Sequence, residues 1–358
     1  MAAGASSTPG GAPPTTKVSE IIASFRPTKV FRAESPKTSV TSLDFDDSGE
    51  LAVVARDDDT LQIYNCKEGK HAKELRSQKY GVHLARFTHH AQSILYASTK
   101  VDHGIRYLSS HDNQFLRYFK GHTDTVTCIS LNPSNDTFVS CSTDNTVRLW
   151  ALNSGNAQGM LKLYGAHLAA YDPSASVLAI ASPPTQSILL YDLRNFDKAP
   201  FATFDLVDIE QQYTPGAGGH NWSKLEFTND GKHLVLGTTG VGHFVLDAFE
   251  GTLTYFLHRD SGPSGRRAAG EYASPNTVAG QGDMCVSPDG QYVIGGCGSD
   301  ELLVWDIHSK PPADRILRPF TDLPGRGKSA IVGYNQRMNQ LCSADKDFLM
   351  WLPDPDAS

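Results

Sequence analysis

The sequence predicts an all-β chain, a seven-bladed β-propeller with a disordered N-terminal tail. Three observations lead to this prediction: one stretch carries every polar residue of a propeller-blade motif, the ends of one strand type recur seven times, and turn-forming residues separate paired strands. A single blade cannot bury both of its faces, so a repeated blade implies neighbours in a ring. Closing that ring leaves only short, protected sheet edges.

The stretch from Phe119 to Trp150 is the clearest repeat. It begins with Gly121-His122, continues as an alternating strand, and places a turn aspartate six positions before the tryptophan. The His, one Ser of the middle strand (Ser140 or Ser142), the Asp and the Trp can form a hydrogen-bonded relay, which pairs polar groups that would otherwise be buried alone. The pattern is typical of a WD repeat and indicates a fold without any chemistry. The predicted relay residues are His122, Ser140, Ser142, Asp144 and Trp150.

Six further segments align with the strand that ends at Trp150. The spacing is 41 residues from Trp150 to Tyr191 and 59 residues from Leu246 to Trp305, against roughly 40–45 for a four-stranded blade. The strand pairs that precede these ends alternate with period two, and turn signals such as DDSG and SPDG lie between them. The seven strand ends are Tyr64, Leu108, Trp150, Tyr191, Leu246, Trp305 and Trp351.

A single propeller domain is therefore predicted over residues 20–358. Ring closure needs a strand from the other end of the chain, and the segment FRPTKVF at about residues 25–31 can serve as the outer strand of the last blade. Residues 1–19 are rich in Ala, Gly, Ser, Thr and Pro and have no apolar segment. They are predicted to form a disordered tail and not a signal peptide.

Two long spacings locate insertions at residues 208–220 and 258–280. Each falls between the outer strand of one blade and the inner strand of the next, so both should lie on the same rim. Long loops grouped on one face tend to carry binding function, but tolerated surface insertions explain them equally well. The turn aspartate also varies between repeats: Asp58, Asp102, Asp144 and Asp345 keep it, whereas Thr185, Gly240 and Ser299 replace it.

The composition is that of a globular chain with a large core, since 39% of residues are hydrophobic and 20% are charged. A net charge of −7 argues against direct nucleic-acid binding. No apolar run is long enough to span a bilayer. Six scattered cysteines without a C-x-x-C pair indicate a reducing compartment.

No catalytic, cofactor or metal site is predicted. The sequence GRGKS at residues 325–329 resembles the end of a phosphate loop, but Asp322 stands where the first Gly is required. His89-His90, with His83 and His103 nearby, match no zinc-ligand spacing, and a surface loop explains them. Because no hydrolase elbow or H-E-x-x-H motif occurs either, the chain is expected not to be an enzyme.

Recognition of partner proteins is the role that remains. Arg106, Arg148 and Arg194 lie at or near strand ends in the second, third and fourth repeats, and arginine suits carboxylates and phosphates. They are candidate contacts for an acidic or phosphorylated peptide; the alternative is that their stems pack against the next blade. Four aromatic residues near loops are candidate anchors, with core packing as the alternative for each: Tyr80, Tyr107, Phe196 and Trp222.

The segment Tyr191-Asp192-Leu193-Arg194 provides a second functional hypothesis. It resembles the W-D-x-R box through which some propellers dock onto cullin-type ubiquitin ligase adaptors, with Tyr in place of Trp. The alternative function is therefore a substrate receptor of such a ligase. An Arg after a strand-terminal Asp can equally bond within the blade rim.

Several longer stretches resemble one particular family. They are SFRPTKVFRAES, KYGVHLARFTHHA, DHGIRYLSSHDNQFLRYFKGH, SILLYDLRNFDKAPFATF and FLMWLPD. From about Ile21 to Pro353, the chain resembles the WD-repeat subunit of the COMPASS-type histone methyltransferase complex, which relatives share with the cleavage and polyadenylation factor. The resemblance weakens before Lys17 and in the two insertions, which are longer here than is usual in the family.

This resemblance implies a noncatalytic subunit of a nuclear complex that methylates a lysine of histone H3. The implied partners are the N-terminal segment of the SET-domain catalytic subunit, other COMPASS subunits, and the phosphorylated C-terminal domain of RNA polymerase II. A phosphatase module of the cleavage and polyadenylation factor, which acts in transcription termination, is a further implied partner.

Overall fold

The computed structural model describes residues 17–259, 266–271, 284–296, 299–325, 331–354 and 356. The predicted tail up to residue 16, most of the insertion at 258–280, and residues 326–329 of the phosphate-loop-like segment lie outside these ranges. The described residues form seven small sheets arranged as a seven-bladed β-propeller, as the sequence predicts. No helix among them is long and apolar enough to cross a membrane.

The first four blades each have four antiparallel strands in chain order. The first contains β2 (Val40–Phe45), β3 (Leu51–Arg56), β4 (Thr60–Asn65) and β5 (Lys70–Arg76). The second contains β6 (His83–Phe87), β7 (Ser93–Ala97), β8 (Ile105–Ser109) and β9 (Phe115–Phe119). The third contains β10 (Val126–Leu131), β11 (Thr137–Ser142), β12 (Thr146–Ala151) and β13 (Ala157–Lys162). The fourth contains β14 (Leu168–Tyr171), β15 (Val177–Ser182), β16 (Ser187–Asp192) and β17 (Ala202–Asp205), with 3₁₀ turns at Pro183–Thr185 and Leu193–Asn195.

The remaining three blades depart from that simple order. The fifth contains β18 (Trp222–Phe227), β19 (His233–Thr238), β20 (Gly242–Asp247) and β21 (Leu253–His258), and β25 (Ile316–Leu317) joins it as a fifth strand. The sixth contains β22 (Met284–Val286), β23 (Tyr292–Gly296), β24 (Glu301–Asp306) and β26 (Thr321–Pro324). The seventh contains β27 (Ile331–Tyr334), β28 (Leu341–Ala344), β29 (Phe348–Pro353) and β1 (Phe25–Phe31).

The ring closes between the two ends of the chain. Strand β1 pairs antiparallel with β29, so that Phe25 lies opposite Pro353 and Phe31 opposite Phe348. The Phe25 side chain is completely buried in a cluster between the sixth and seventh blades. Closure therefore depends on side-chain packing as well as on backbone hydrogen bonds.

Two short helices flank the blades. Helix α1 (Val18–Ala23) precedes β1 and buries Ile22, so residues 17–19, which the sequence analysis assigns to the tail, belong to this helical element. Helix α2 (Val207–Tyr213) is formed by the insertion at 208–220. Neither helix was predicted, because each is only about two turns long and is fixed by tertiary contacts.

Strand β25 was also not predicted. It belongs to the connection between β24 and β26 of the sixth blade, yet it pairs in parallel with β21 at the outer edge of the fifth blade. Arg315 O accepts a hydrogen bond from Phe256 N across this edge. A two-residue strand has no detectable sequence periodicity, so only the fold reveals it.

The connections define two faces of the propeller. The links from each outer strand to the next inner strand, and from each second strand to the third, lie on one face, which we call the upper face. The other links lie on the lower face. The inner strands surround a central channel, where side chains bond the neighbouring strand: Ser42 Oγ accepts from Ala85 N at 2.9 Å, and Asp44 Oδ2 accepts from Phe87 N at 2.8 Å.

Candidate partner-binding face

The third blade contains one continuous chain of hydrogen bonds among four side chains of the motif. The Trp150 Nε1–H donates to Ser140 Oγ at 2.9 Å, and Ser140 Oγ lies 2.7 Å from His122 Nε2. The His122 Nδ1 lies 3.0 Å from Asp144 Oδ2. Because a carboxylate only accepts, Nδ1 carries the imidazole proton and Nε2 accepts from the serine hydroxyl. The other candidate, Ser142, lies outside this chain and donates to Asp124 O at 2.9 Å.

The pKa shifts of His122 and Asp144 agree with a proton on His122 Nδ1. Burial lowers the pKa of His122, although Asp144 opposes the shift. Burial alone would raise the pKa of Asp144, but hydrogen bonds from Thr146, the Thr123 N–H and His122 lower it overall. A neutral imidazole beside a carboxylate is therefore the stable pair at neutral pH. The relay ties the loop that enters the blade to the turn between its second and third strands.

In other blades, the indole N–H of the buried tryptophan donates to other acceptors. Trp351 Nε1 donates to Ser343 Oγ at 2.9 Å, which repeats one step of the relay in the seventh blade. In the fifth blade, Trp222 Nε1 donates to Glu210 Oε1 of helix α2 at 2.6 Å, and Gln186 Nε2 donates to the other carboxylate oxygen at 2.5 Å. The first insertion is thus part of the core and is not a free surface loop.

The structure brings two of the predicted partner contacts together. The Arg106 guanidinium lies 4.1 Å from the ring centroid of Tyr80 and 4.8 Å from that of Tyr118. It also donates to both carboxylate oxygens of Asp102, at 2.8 and 2.7 Å. Only 1% of Arg106 is exposed. The guanidinium is therefore buried and paired with Asp102 inside the second blade, which corrects the expectation that it contacts a partner.

Two further candidates lie on separate elements and are half-buried. Tyr107, next to Arg106 on β8, has its hydroxyl 3.2 Å from Ser93 Oγ. The Arg148 Nε donates to Thr146 Oγ1 at 3.3 Å. Its guanidinium lies against Gly121, where a Cβ would be only 2.6 Å from Nη1. Both side chains therefore support the walls of their own blades.

The last three candidates divide between surface and core. Arg194 is exposed on the lower face, while the preceding Asp192 is held by the backbone N–H of Arg194 and by Asn195. Phe196 is only 8% exposed and packs against Tyr191, and Trp222 is completely buried. Phe196 and Trp222 are therefore packing residues, which corrects their assignment as partner anchors. The seven candidates do not form one surface.

The described part of the second insertion forms a strap across the upper mouth of the channel. We use "strap" for residues 266–271. At one end Arg266 donates to Val40 O at 2.6 Å and to Asp345 Oδ1 at 2.5 Å, at the seam of the first and seventh blades. At the other end Ala269 N donates to Trp222 O of the fifth blade at 2.9 Å. The strap therefore joins blades that are not neighbours in the ring.

A glycine lets the strap lie close to the fourth blade. Gly270 has φ of +78°, and a Cβ there would lie 1.9 Å from His167 Nδ1. The backbone therefore packs directly on the imidazole ring, which only glycine allows. The long spacing between repeats predicts the insertion. Nothing in the sequence predicts that it crosses the channel, because its contacts join residues that are far apart in the chain.

Neutral histidines in the channel and core make stability depend on pH. Burial, together with the charges of Arg267 and Arg86, lowers the pKa of His83 to about 3. An unfolded histidine titrates near 6.5, so protons bind the unfolded chain first as the pH falls. The stability that neutral His83 contributes is present above about pH 6.5 and is lost between about 6.5 and 3.

We expect the unfolding free energy to fall on acidification, with His83 contributing a slope of at most about 1.4 kcal/mol per pH unit. The His83→Gln variant should show a shallower slope of unfolding free energy against pH than the wild type. Urea unfolding followed by tryptophan fluorescence between pH 4 and pH 8 measures this slope. His90→Gln is the matched control, because His90 is exposed to solvent in the folded chain. Equal slopes for wild type and His83→Gln would contradict the assignment.

The lower mouth of the channel is lined by charged side chains. Burial raises the pKa of Asp44 to about 6, against the opposing effect of Arg86. Lys224 Nζ lies 2.7 Å from Glu226 Oε2 and donates to Met284 O at 3.0 Å. Adjoining cavities of about 320 and 490 Å³ share this lining. Lys224 thus pairs with Glu226, and the charge of Arg86 favours the ionised form of Asp44, so these side chains link neighbouring inner strands.

The His-His pair is explained by a contact between blades on the lower face. His89 Nδ1 lies 2.7 Å from Asp47 Oδ2 of the first blade, and His89 Nε2 lies 2.9 Å from Asn132 O of the third. Partial burial alone would lower the pKa of His89, but its hydrogen bonds to Asp47 Oδ2 and Asn132 O raise it overall. Both ring nitrogens face acceptors, so His89 acts as a clamp between the turns of three blades.

Fold and site together define a WD-repeat β-propeller whose polar side chains join strands and blades. The family model described as "WD domain, G-beta repeat" matches residues 25–65 and 113–151. The chain belongs to the family of the Set1 complex component swd2 and WD repeat-containing protein 82.

Three relatives establish this membership over nearly the whole chain. The "Set1 complex component swd2" of Schizosaccharomyces pombe is 37% identical, over 93% of this chain and 98% of that protein. The "WD repeat-containing protein 82" of Drosophila melanogaster is 36% identical, over 94% and 96%. The "COMPASS component SWD2" of Saccharomyces cerevisiae is 33% identical, over 87% and 91%.

Proposed function

We propose that this protein is a noncatalytic subunit of a nuclear COMPASS-type histone H3 lysine methyltransferase complex. The observation that carries the proposal is similarity over almost the full length of relatives named as a Set1 complex component and a COMPASS component. The structure supports a binding role because contacts within and between blades, such as the relay of the third blade and the His89 contacts on the lower face, hold the loops in place. A seven-bladed ring also holds its loops rigidly, so little ordering of the propeller is needed when it binds a disordered segment.

The proposed partners are short segments of larger nuclear proteins. They are the N-terminal segment of the SET-domain catalytic subunit, other COMPASS subunits, and the phosphorylated C-terminal domain of RNA polymerase II. Binding to the last would link methylation to transcribing chromatin. A further role with the phosphatase module of the cleavage and polyadenylation factor would extend the same scaffold to mRNA processing and transcription termination.

Affinity purification of the tagged protein from nuclear extract, with mass spectrometry of what stays bound, tests the proposal. We expect SET-domain methyltransferase subunits to be recovered, with or without polyadenylation factors. Recovery of a cullin adaptor without any methyltransferase subunit would contradict the proposal.

The exposed Arg194 keeps the ubiquitin-ligase hypothesis open as a second candidate, because its guanidinium on the lower face is accessible to an adaptor. Arg194→Ala decides between the two functions in the same purification. If the protein is a COMPASS subunit, this substitution leaves the methyltransferase subunits bound. If the protein is a ligase receptor, the substitution removes the adaptor. His90→Ala, another exposed residue of the lower face, is the matched control.

A further inference from the structure

Strand β9 forms the outer edge of the second blade, and no strand pairs with its outer side in the part of the chain that the structure describes. Its two exposed positions hold a leucine and an aromatic residue: Leu116 is 51% exposed and Tyr118 is 40% exposed. An unpaired edge is a template for another extended chain, and proteins usually protect it with charged side chains, proline or a covering segment. The exposed positions of β9 have no such protection.

The other outer strands of the described blades are protected. The outer edge of β21 is covered by β25. Each of the remaining outer strands has a charged residue at an exposed position, which opposes pairing with another chain. These residues are Lys29 in β1, Lys70 in β5, Lys162 in β13, Asp205 in β17 and Asp322 in β26. Strand β9 is therefore the outer edge that is left open for pairing.

The fifth blade shows how an added strand docks on such an edge. Strand β25 adds in parallel to β21 through Ile316 and Leu317, and Phe256 N donates to Arg315 O across the edge at 2.8 Å. The pairing of β20 with β21 contains a register shift, and so does the pairing of β8 with β9. This irregularity therefore does not prevent an outer strand of the propeller from pairing with a further strand.

The exposed ring of β9 is held in place before any partner arrives. The Arg106 guanidinium lies 4.8 Å from the ring centroid of Tyr118, and the Phe115 ring lies 5.3 Å from the same ring. A ring fixed in this way loses little freedom on binding. The third blade approaches the edge at Gly155, where an added Cβ would lie 3.7 Å from Tyr118 O. Gly155 therefore places no side chain over this carbonyl.

Arg117 determines the charge of the segment that fits. It lies between Leu116 and Tyr118 and is half-buried, and its Nε is buried without a hydrogen-bond partner in the described part of the chain. A carboxylate opposite Arg117 on an added strand would lie on the same face and accept from the guanidinium. The residues on either side of that carboxylate would lie on the other face, where apolar side chains suit Leu116 and Tyr118.

A second copy of this chain fits the edge poorly. Antiparallel pairing of β9 with itself in full register places Arg117 opposite Arg117, and like charges directly opposite are destabilising. The strand also has only 5 residues, whereas a stable interface between folded proteins uses roughly 20–30 residues on each side. A short extended segment needs no larger surface, because backbone pairing with the edge supplies affinity.

We propose that β9 is a docking edge for an extended segment of another protein, in which an acidic residue lies between two apolar residues. The segment adds to the second blade as a fifth strand, with its carboxylate beside Arg117 and its apolar side chains beside Leu116 and Tyr118. This inference goes beyond the proposed function, because it rests on the edge alone and on no particular complex.

Fluorescence anisotropy with the labelled peptide STVEVTS tests the proposal on the full-length protein, and STVKVTS is the charge-reversed probe. We expect the wild type to bind STVEVTS roughly tenfold more tightly than STVKVTS, as for one charge-assisted hydrogen bond. Arg117→Glu should reverse this preference, and Arg117→Gln should remove it. Leu116→Asp should weaken binding of STVEVTS. Met160→Asp is the matched control, because Met160 is 45% exposed on the outer strand of the third blade, and it should leave both affinities unchanged.

Hydrogen exchange with mass spectrometry shows where the peptide binds. STVEVTS should slow amide exchange in residues 115–119 and leave residues 157–162 of β13 unchanged. Thermal unfolding of each variant confirms that it is folded.

The proposal is overturned if STVEVTS does not bind at millimolar concentration, or if the slowed exchange lies outside β9. It is also overturned if Arg117→Gln keeps the preference for STVEVTS, or if Met160→Asp weakens binding as much as Leu116→Asp. A dimer in sedimentation that Leu116→Asp dissociates would place a second copy on this edge and would equally overturn it. The affinity purification described above has a separate readout, so the failure of either proposal can be distinguished from the failure of the other.

Discussion

Replacing Phe25 by alanine is expected to lower the free energy of unfolding by about 3–5 kcal/mol, the range for a fully buried phenylalanine. Phe25 is 0% exposed and belongs to the cluster between the sixth and seventh blades that contains Tyr334 and Trp351. Its ring lies 5.9 Å from that of Tyr334 in an edge-on arrangement. The cavity would weaken the one blade whose strands come from both ends of the chain, and this blade closes the ring.

Val30→Ala in the same strand is the matched control, because Val30 is 38% exposed and is not a member of the buried cluster. Its effect should stay below about 1 kcal/mol. Urea unfolding followed by tryptophan fluorescence compares the two variants. Deletion of residues 1–31 removes β1 completely, and we expect this chain to form aggregates in size-exclusion chromatography because the edge of β29 becomes unpaired. A Phe25→Ala variant as stable as Val30→Ala would mean that β1 closes the ring through its backbone alone.

The parts of the fold that the sequence predicts are those encoded by short-range patterns. Alternation and turn signals predict the blades, and the need for one more strand predicts that FRPTKVF closes the ring. Helix α2 could not be predicted, because the burial of its Glu210 depends on hydrogen bonds that Trp222 and Gln186 donate from other parts of the chain.

The candidate site shows the same division. The relay could be predicted because a blade motif has fixed spacing. The inward position of Arg106 could not be predicted, because its two stacking partners, Tyr80 and Tyr118, come from different segments. The strap could not be predicted either, since its contacts join residues up to 226 positions apart, as between Arg266 and Val40. The two insertions have no sequence periodicity, and they form contacts between distant residues that no local sequence pattern can predict.

Replacing Ser140 by alanine is expected to cost about 2–6 kcal/mol of unfolding free energy. Ser140 is completely buried, and its hydroxyl is the shared partner of Trp150 Nε1 and His122 Nε2. Removing one hydroxyl leaves a donor and an acceptor buried without partners, at about 1–3 kcal/mol each. Neither ring can turn to water, since Trp150 is 0% exposed and packs edge-on against Phe119 at 5.6 Å.

Ser142→Ala in the same strand separates the relay from the general effect of losing a serine hydroxyl. Ser142 is also completely buried, but it lies outside the chain: it donates to the backbone O of the exposed Asp124 and accepts from Asp144 N. We expect a loss of about 1 kcal/mol or less. A double-mutant cycle of Ser140→Ala with His122→Phe adds the decisive measurement. Since both substitutions break the same chain of hydrogen bonds, the double variant should lose less unfolding free energy than the two single variants together. Simple additivity would mean that the relay is a set of independent contacts and does not act as one unit.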